Sequence, residues 1–113
     1  MWLLDVHMPK KIAAVLGEFG IQAQTADARG WKGLTNGAPV EVAVQAGFSC
    51  AVARDRLFGE FAARAWKRFP QFSVVLVAIP QLRGPEFLER FRGAWKRTPI
   101  QPVAGQLLRW PSA

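Results

Sequence analysis

The chain predicts an α/β domain, a three-layer arrangement in which an open, mostly parallel sheet of four or five strands carries helices on both faces. Three observations lead there. Apolar runs of strand length alternate with segments whose apolar residues recur at intervals of three and four, the order expected of βα units. The run "FSVVLVAI" (72–79) is almost continuously apolar and rich in β-branched residues, as in a strand covered on both faces. At 113 residues the chain is long enough for one such core and too short for two.

The first strand is expected within "WLLDV" (2–6). Pro9 follows at a first helical position, Ile12, Val15, Leu16 and Phe19 form one apolar stripe, and Gly20 ends the helix. "IQAQT" (21–25) reads as the second strand. A second helix begins near Pro39 and carries Val40, Ala43 and Val44 to Gly47, and "SCAVA" (49–53) reads as the third strand. A third helix is expected from Leu57 to Arg68, with Leu57, Phe58, Phe61, Ala65 and Trp66 on its apolar side. After the fourth strand, a helix from Pro85 to Arg97 presents Phe87, Leu88, Phe91 and Trp95, and "QLLRW" (106–110) offers a short last strand.

The third and fourth helices end alike, in "AWKRFP" (65–70) and "AWKRTP" (94–99). Structurally, a Trp docks on the sheet, basic residues complement the helix C-terminus and Pro prevents continuation. Functionally, the same repeat reads as a double basic and aromatic platform for nucleic acid.

Fifteen Lys and Arg against eight Asp and Glu give a net charge of +7 and a pI near 10.8. Such a surface suits a polyanionic partner through steering and counterion release, although it serves solubility equally. Cys50 is the single cysteine, which excludes an intrachain disulfide and a cysteine-based zinc site, and its neighbours mark it as an inert core thiol. The opening "MWLLDVHMPKK" is too short and too acidic in its apolar part for a secretory signal, and no run approaches the ~18 apolar residues of a membrane span. A cytoplasmic protein without membrane contact is expected.

Ligands of an open parallel sheet bind beyond the carboxyl ends of its strands, at the point where the connections reverse direction. Asp5 ends the first expected strand and Asp55 follows the third. Two aspartates at one rim form a site for a hard divalent cation, Mg²⁺ or Mn²⁺, which takes carboxylate oxygen and water. Solvated loop acids, or a helix N-cap at Asp55, are the plainer alternatives. Glu60 and Asp27 are the next acids near this rim. Lys10, Lys11, Arg29, Lys32, Arg54 and Arg56 gather around it, a ring suited to a phosphate backbone. His7, the single histidine, reads as a structural residue of the loop before Pro9, with a proton donor or a ligand as the alternative.

The segments "LLDVHMP" (3–9), "RGWKGLTNG" (29–37), "AGFSCAVARDRLFGE" (46–60) and "VVLVAIP" (74–80) resemble the successive motifs of the small bacterial PIN-like domains, relatives of VapC-type toxin ribonucleases. The resemblance covers residues 3–80. It implies a metal-dependent endoribonuclease, the toxin of a toxin–antitoxin pair, with RNA as substrate, an antitoxin protein as partner and Mg²⁺ or Mn²⁺ as cofactor. Asp5 matches the first-strand acid and Asp55 the acid after the third strand, so both are expected to hold metal and act in catalysis, with Glu60 as a substitute third carboxylate. The Gly-Trp segment resembles the loop that closes the rim. Its glycines permit unusual backbone angles, Trp31 anchors it, and Asn36 caps the next helix and faces the nucleic acid.

Three positions depart from the family pattern. Ala38 stands where an acid usually follows Asn-Gly, Leu57 replaces a second acid, and Ala53 replaces a common Thr. These departures support an alternative, a catalytically degenerate PIN-like module that binds nucleic acid or a partner protein without cutting. A receiver-like signalling domain shares the fold class and would use Asp55 as phosphate acceptor, but the paired acids and late Lys of that family are missing. Trp and Phe on the last helix suit a homodimer face.

Overall fold

Five short strands pair side by side, all in parallel, in the order β2-β1-β3-β4-β5: β1 (Trp2–Leu4), β2 (Ala23–Thr25), β3 (Cys50–Ala53), β4 (Ser73–Val77) and β5 (Leu107–Trp110). In the computed structural model residues 1–5, 8–31, 38–54, 68–80 and 83–111 are described, with the backbone alone at 38–40. Every strand falls inside its expected run. β4 is buried along its whole length between β3 and β5, which is why its sequence lacks a polar alternation.

Three helices are described: α1 (Ile12–Glu18), α2 (Ala38–Gln45) and α3 (Gly84–Arg97). Strand alternation divides the core into two layers. Leu4, Val52, Val75 and Trp110 turn to one face, where Ile12, Val15 and Leu16 of α1 and Phe87, Phe91 and Trp95 of α3 meet them. Leu3, Ala51 and Val74 turn to the other, where they meet Ala43 of α2 together with Phe48 and Phe72. The expected sheet with helices on both faces is present. The third expected helix lies, apart from Arg68, outside the described residues.

Two local expectations need adjustment. Pro9 is not the first residue of α1. The Pro9 and Lys10 carbonyls accept from the amides of Ile12 and Ala13 at 3.0 and 3.2 Å, so the chain first makes a tight three-residue turn. The α-helix starts only at Ile12, and Gly20 leaves it with φ of 83°. At the other end, the second "AWKR" repeat does what a structural reading requires. Trp95 stacks on Phe19 with ring centroids 5.0 Å apart, and Lys96 and Arg97 occupy the last turn of α3.

The connections carry an irregularity that periodicity does not announce. The step from β1 to β2 and the step from β4 to β5 run in opposite directions across the sheet, yet α1 and α3 lie on the same face. The two crossovers therefore have opposite hands, and one departs from the right-handed rule. Aromatic contacts across that face hold the arrangement: Phe91 lies edge-on to Trp110 at 4.9 Å, and the Trp110 indole N–H donates to the Thr98 carbonyl at 2.7 Å. Glu18 and Arg92 join α1 to α3 at 2.7 Å on the surface. Among the described residues no helix is long and apolar enough to cross a membrane.

Candidate functional site at the carboxyl edge

β1 and β3 are neighbours, and the chain leaves β1 toward β2 on one side and later crosses back to β3 on the other. Their carboxyl ends therefore form the switch point at which such sheets take ligands. Leu4 pairs with Val52, and the Asp5 amide continues the ladder by donating to the Val52 carbonyl at 2.9 Å. The Asp5 carbonyl in turn accepts from the Met8 amide at 2.9 Å, which turns the chain toward α1.

Asp5 is thus held by backbone bonds on both sides and is only 6% exposed, with Oδ2 sealed from solvent. Alternation from Leu3 assigns its side chain to the α2 face of the sheet. A buried carboxylate at a switch point is costly to maintain and is a recurrent signature of a working site.

The other expected site residues divide into three groups. Asp55, Glu60, Lys32, Asn36, Arg56 and His7 lie outside the described residues. Lys10 and Asp27 meet at the same rim, Nζ to Oδ2 at 2.8 Å, and this hydrogen bond and charge raise the Lys10 pKa. Lys11 is exposed at the N-cap position of α1. Among the described residues no group of three or more His, Cys, Asp or Glu side chains comes together.

Arg29 and Arg54, like Arg68 beside Phe69, lie against aromatic rings. The Arg54 guanidinium lies 4.8 Å from the centre of the Phe87 ring, which belongs to the first turn of α3 and is fully buried. Arg29 lies 4.9 Å from the Trp31 ring and 5.6 Å from the Phe48 ring, on the α2 face. The Arg29 Nη1 also donates weakly to Gln24 Oε1 at 3.5 Å. Lys10, Arg68 and Arg92 pair with Asp27, Glu41 and Glu18, whereas among the described residues no carboxylate pairs with Arg29 or Arg54.

Trp31 anchors its loop as expected. Its amide donates to the Ala26 carbonyl at 2.9 Å, and its ring meets Phe48 edge-on at 5.7 Å, following a turn in which Gly30 has φ of 74°. Sequence reading did not connect Phe87 with the rim, nor Phe48, which precedes β3 at the amino-terminal edge, with Arg29. Both read as core aromatics, and no spacing rule links them to Arg54 or Arg29. An apolar cleft of about 340 Å³ lined by Val44, Phe48, Phe69 and Phe72 sits at the opposite, amino-terminal edge of the sheet. Comparison of the chain with protein-family models, with curated proteins and with solved structures gives no match.

Proposed function

We propose that the domain is a PIN-like, metal-dependent endoribonuclease working at the carboxyl ends of β1 and β3. The observation that carries this reading is the position of Asp5, a buried carboxylate one residue beyond β1 at the switch point, beside the strand whose continuation contains Asp55. Asp5 and Asp55 would together hold Mg²⁺ or Mn²⁺. The bound ion would polarise water for attack on phosphorus and offset charge on the leaving oxygen. Lys10 engages Asp27 and so reserves that acid from the ion, while Arg54 supplies positive charge to the substrate backbone. A toxin role, with an antitoxin protein as partner, belongs to the same reading, whereas the homodimer face expected from Trp and Phe on the last helix loses its basis because Phe87, Phe91 and Trp95 are buried against the sheet.

The deciding experiment incubates purified protein with a panel of structured and unstructured RNAs in Mg²⁺ or Mn²⁺. Cleavage that chelator stops and that Asp5→Asn and Asp55→Asn each abolish is the expected result. Folded protein that leaves every RNA intact overturns the catalytic reading.

A second reading is favoured by Ala38, the residue at which α2 opens and at which the resemblance calls for an acid. Two aspartates without that third carboxylate suit one weakly held, heavily hydrated ion better than a two-metal centre. In that case the domain binds RNA or a partner protein without cutting. RNA binding that persists in chelator, with steep salt dependence and no cleavage, identifies it.

A further inference from the structure

The cleft at the amino-terminal edge is walled by Val44 of α2 and by Phe48, Phe69 and Phe72, and it encloses about 340 Å³. Phe48 and Phe72 lead into β3 and β4 and are only 4% and 2% exposed. The Phe48 amide donates to the Ala43 carbonyl at 2.9 Å, the Phe72 amide donates to the Phe69 carbonyl at 3.1 Å, and Trp31 braces the Phe48 ring edge-on. The aromatic lining is therefore held in place. Its volume lies near the lower end of the about 300–1,000 Å³ usual for small-molecule sites, room for one ring and a short tail. Water in such an apolar hollow finds few partners and is readily displaced by a ring.

Among the described residues Arg68 is the cation that lines the same cleft, its guanidinium 5.3 Å from the centre of the Phe69 ring. Ring contact sets the guanidinium plane beside the apolar wall and leaves edge N–H donors for a carboxylate. Arg68 meets Glu41 through a single Nη2 to Oε1 approach of 3.4 Å between exposed side chains, a contact that holds little and that a ligand can displace. The other polar lining residues, Ser49 and Gln71, carry no charge. An apolar hollow with one positive charge matches a ring that bears one negative charge, whereas the second charge of a phosphate would go uncompensated near Glu41.

We infer that this cleft binds a small arylalkanoate, one aromatic ring joined by a short chain to a carboxylate, with the ring among Phe48, Phe69 and Phe72 and the carboxylate on Arg68. The cleft lies at the other end of the strands from Asp5, so its occupancy does not depend on the nuclease reading.

The test titrates ¹⁵N-labelled protein, in chelator, with 3-phenylpropionate and in parallel with 3-phenylpropanol and 3-phenylpropylamine. Saturable shifts of the Val44, Phe48, Phe69 and Phe72 amides are expected with the acid, at a Kd of about 0.1–1 mM. The alcohol and the amine should each bind about tenfold more weakly. Arg68→Gln, an exposed change, should weaken the acid about tenfold and leave the alcohol unaltered, and Val44→Phe, which fills the cleft, should weaken both. The amide spectrum shows directly that each variant is folded. Absent or unsaturable shifts, shifts centred elsewhere, equal affinity for acid and alcohol, or undiminished acid binding in Arg68→Gln overturn the site. Since binding is read without metal or RNA, failure to cleave leaves a positive result standing, and a protein that cuts RNA yet ignores the acid loses the cleft and keeps the catalytic reading.

Discussion

Leu4 and Val52 stand opposite one another in the parallel ladder of β1 and β3, and one residue further on the Asp5 amide donates to the Val52 carbonyl. This pairing decides where Asp5 goes. The backbone fixes the carboxylate at the rim whatever its side chain does, so the acid can be altered without dismantling the strand.

Replacing Asp5 by Asn keeps size and shape and removes the buried charge. The variant is expected to show an unchanged far-UV circular dichroism spectrum, because the Asp5 amide and carbonyl, not its side chain, continue the ladder and turn the chain toward α1. RNA cleavage should fall to background. A variant that unfolds assigns Asp5 a structural role instead.

Phe91 is fully buried between α3 and the sheet, against Trp95 and Trp110. Phe91→Ala should destabilise the domain by about 3–5 kcal/mol, the usual result of removing a buried aromatic ring and leaving a cavity. Urea unfolding monitored by tryptophan fluorescence measures it. A loss below about 1 kcal/mol would contradict the packing of α3 on this face.

Two glycines separate conformational demand from mere absence of a side chain. Gly105 has φ of 71°, and a Cβ there would lie 2.9 Å from the Pro70 carbonyl oxygen. Gly105→Ala should therefore cost about 1–3 kcal/mol. Gly93 lies inside α3 with open space around it, so Gly93→Ala should stabilise by about 0.5–1 kcal/mol. Thermal unfolding of the pair, run side by side, should move the midpoint in opposite directions.

Burial pushes the Cys50 thiol up to about 12 from an ordinary value of 9.0. The folded state therefore keeps a proton that the unfolded state releases, so stability falls as pH rises above 9, by up to about 1.4 kcal/mol per pH unit. Cys50→Ala should flatten that dependence between pH 9 and 10. Iodoacetamide at pH 8 should leave Cys50 unmodified until the protein is unfolded.

Much of this architecture was legible in the residues. The β-branched run at 72–79 could belong only to a strand buried on both sides, and the spacing of Phe87, Phe91 and Trp95 fixed the inner face of α3. The start of α1 was less so, because Pro9 tolerates a tight turn as readily as a helix N-terminus and nothing local separates them. The hand of the β4-to-β5 crossover was illegible. It depends on which sheet face receives α3, and an amphipathic stripe states that a helix has an inner side without saying which face it covers.

At the rim, the place of Asp5 followed from strand length alone, since an acid directly after a buried apolar run has to emerge at the strand end. The seating of Arg54 on Phe87 did not follow, because it joins residues from two elements that only the folded sheet brings together. Lys10 shows the converse. Its charge placed it in the cationic ring, but its 2.8 Å contact with Asp27 spends that charge within the protein.

The account turns on metal being held where β1 and β3 end. Titration of ¹⁵N-labelled protein with Mn²⁺ tests this directly, through paramagnetic broadening of amide signals. Selective loss of the Asp5, Ala53 and Arg54 amides at low Mn²⁺, with Ser49 and Gln71 at the opposite edge unaffected and the effect absent in Asp5→Asn, is the predicted result. Broadening spread evenly over exposed acids such as Glu86 and Glu89, or unchanged by Asp5→Asn, would contradict it.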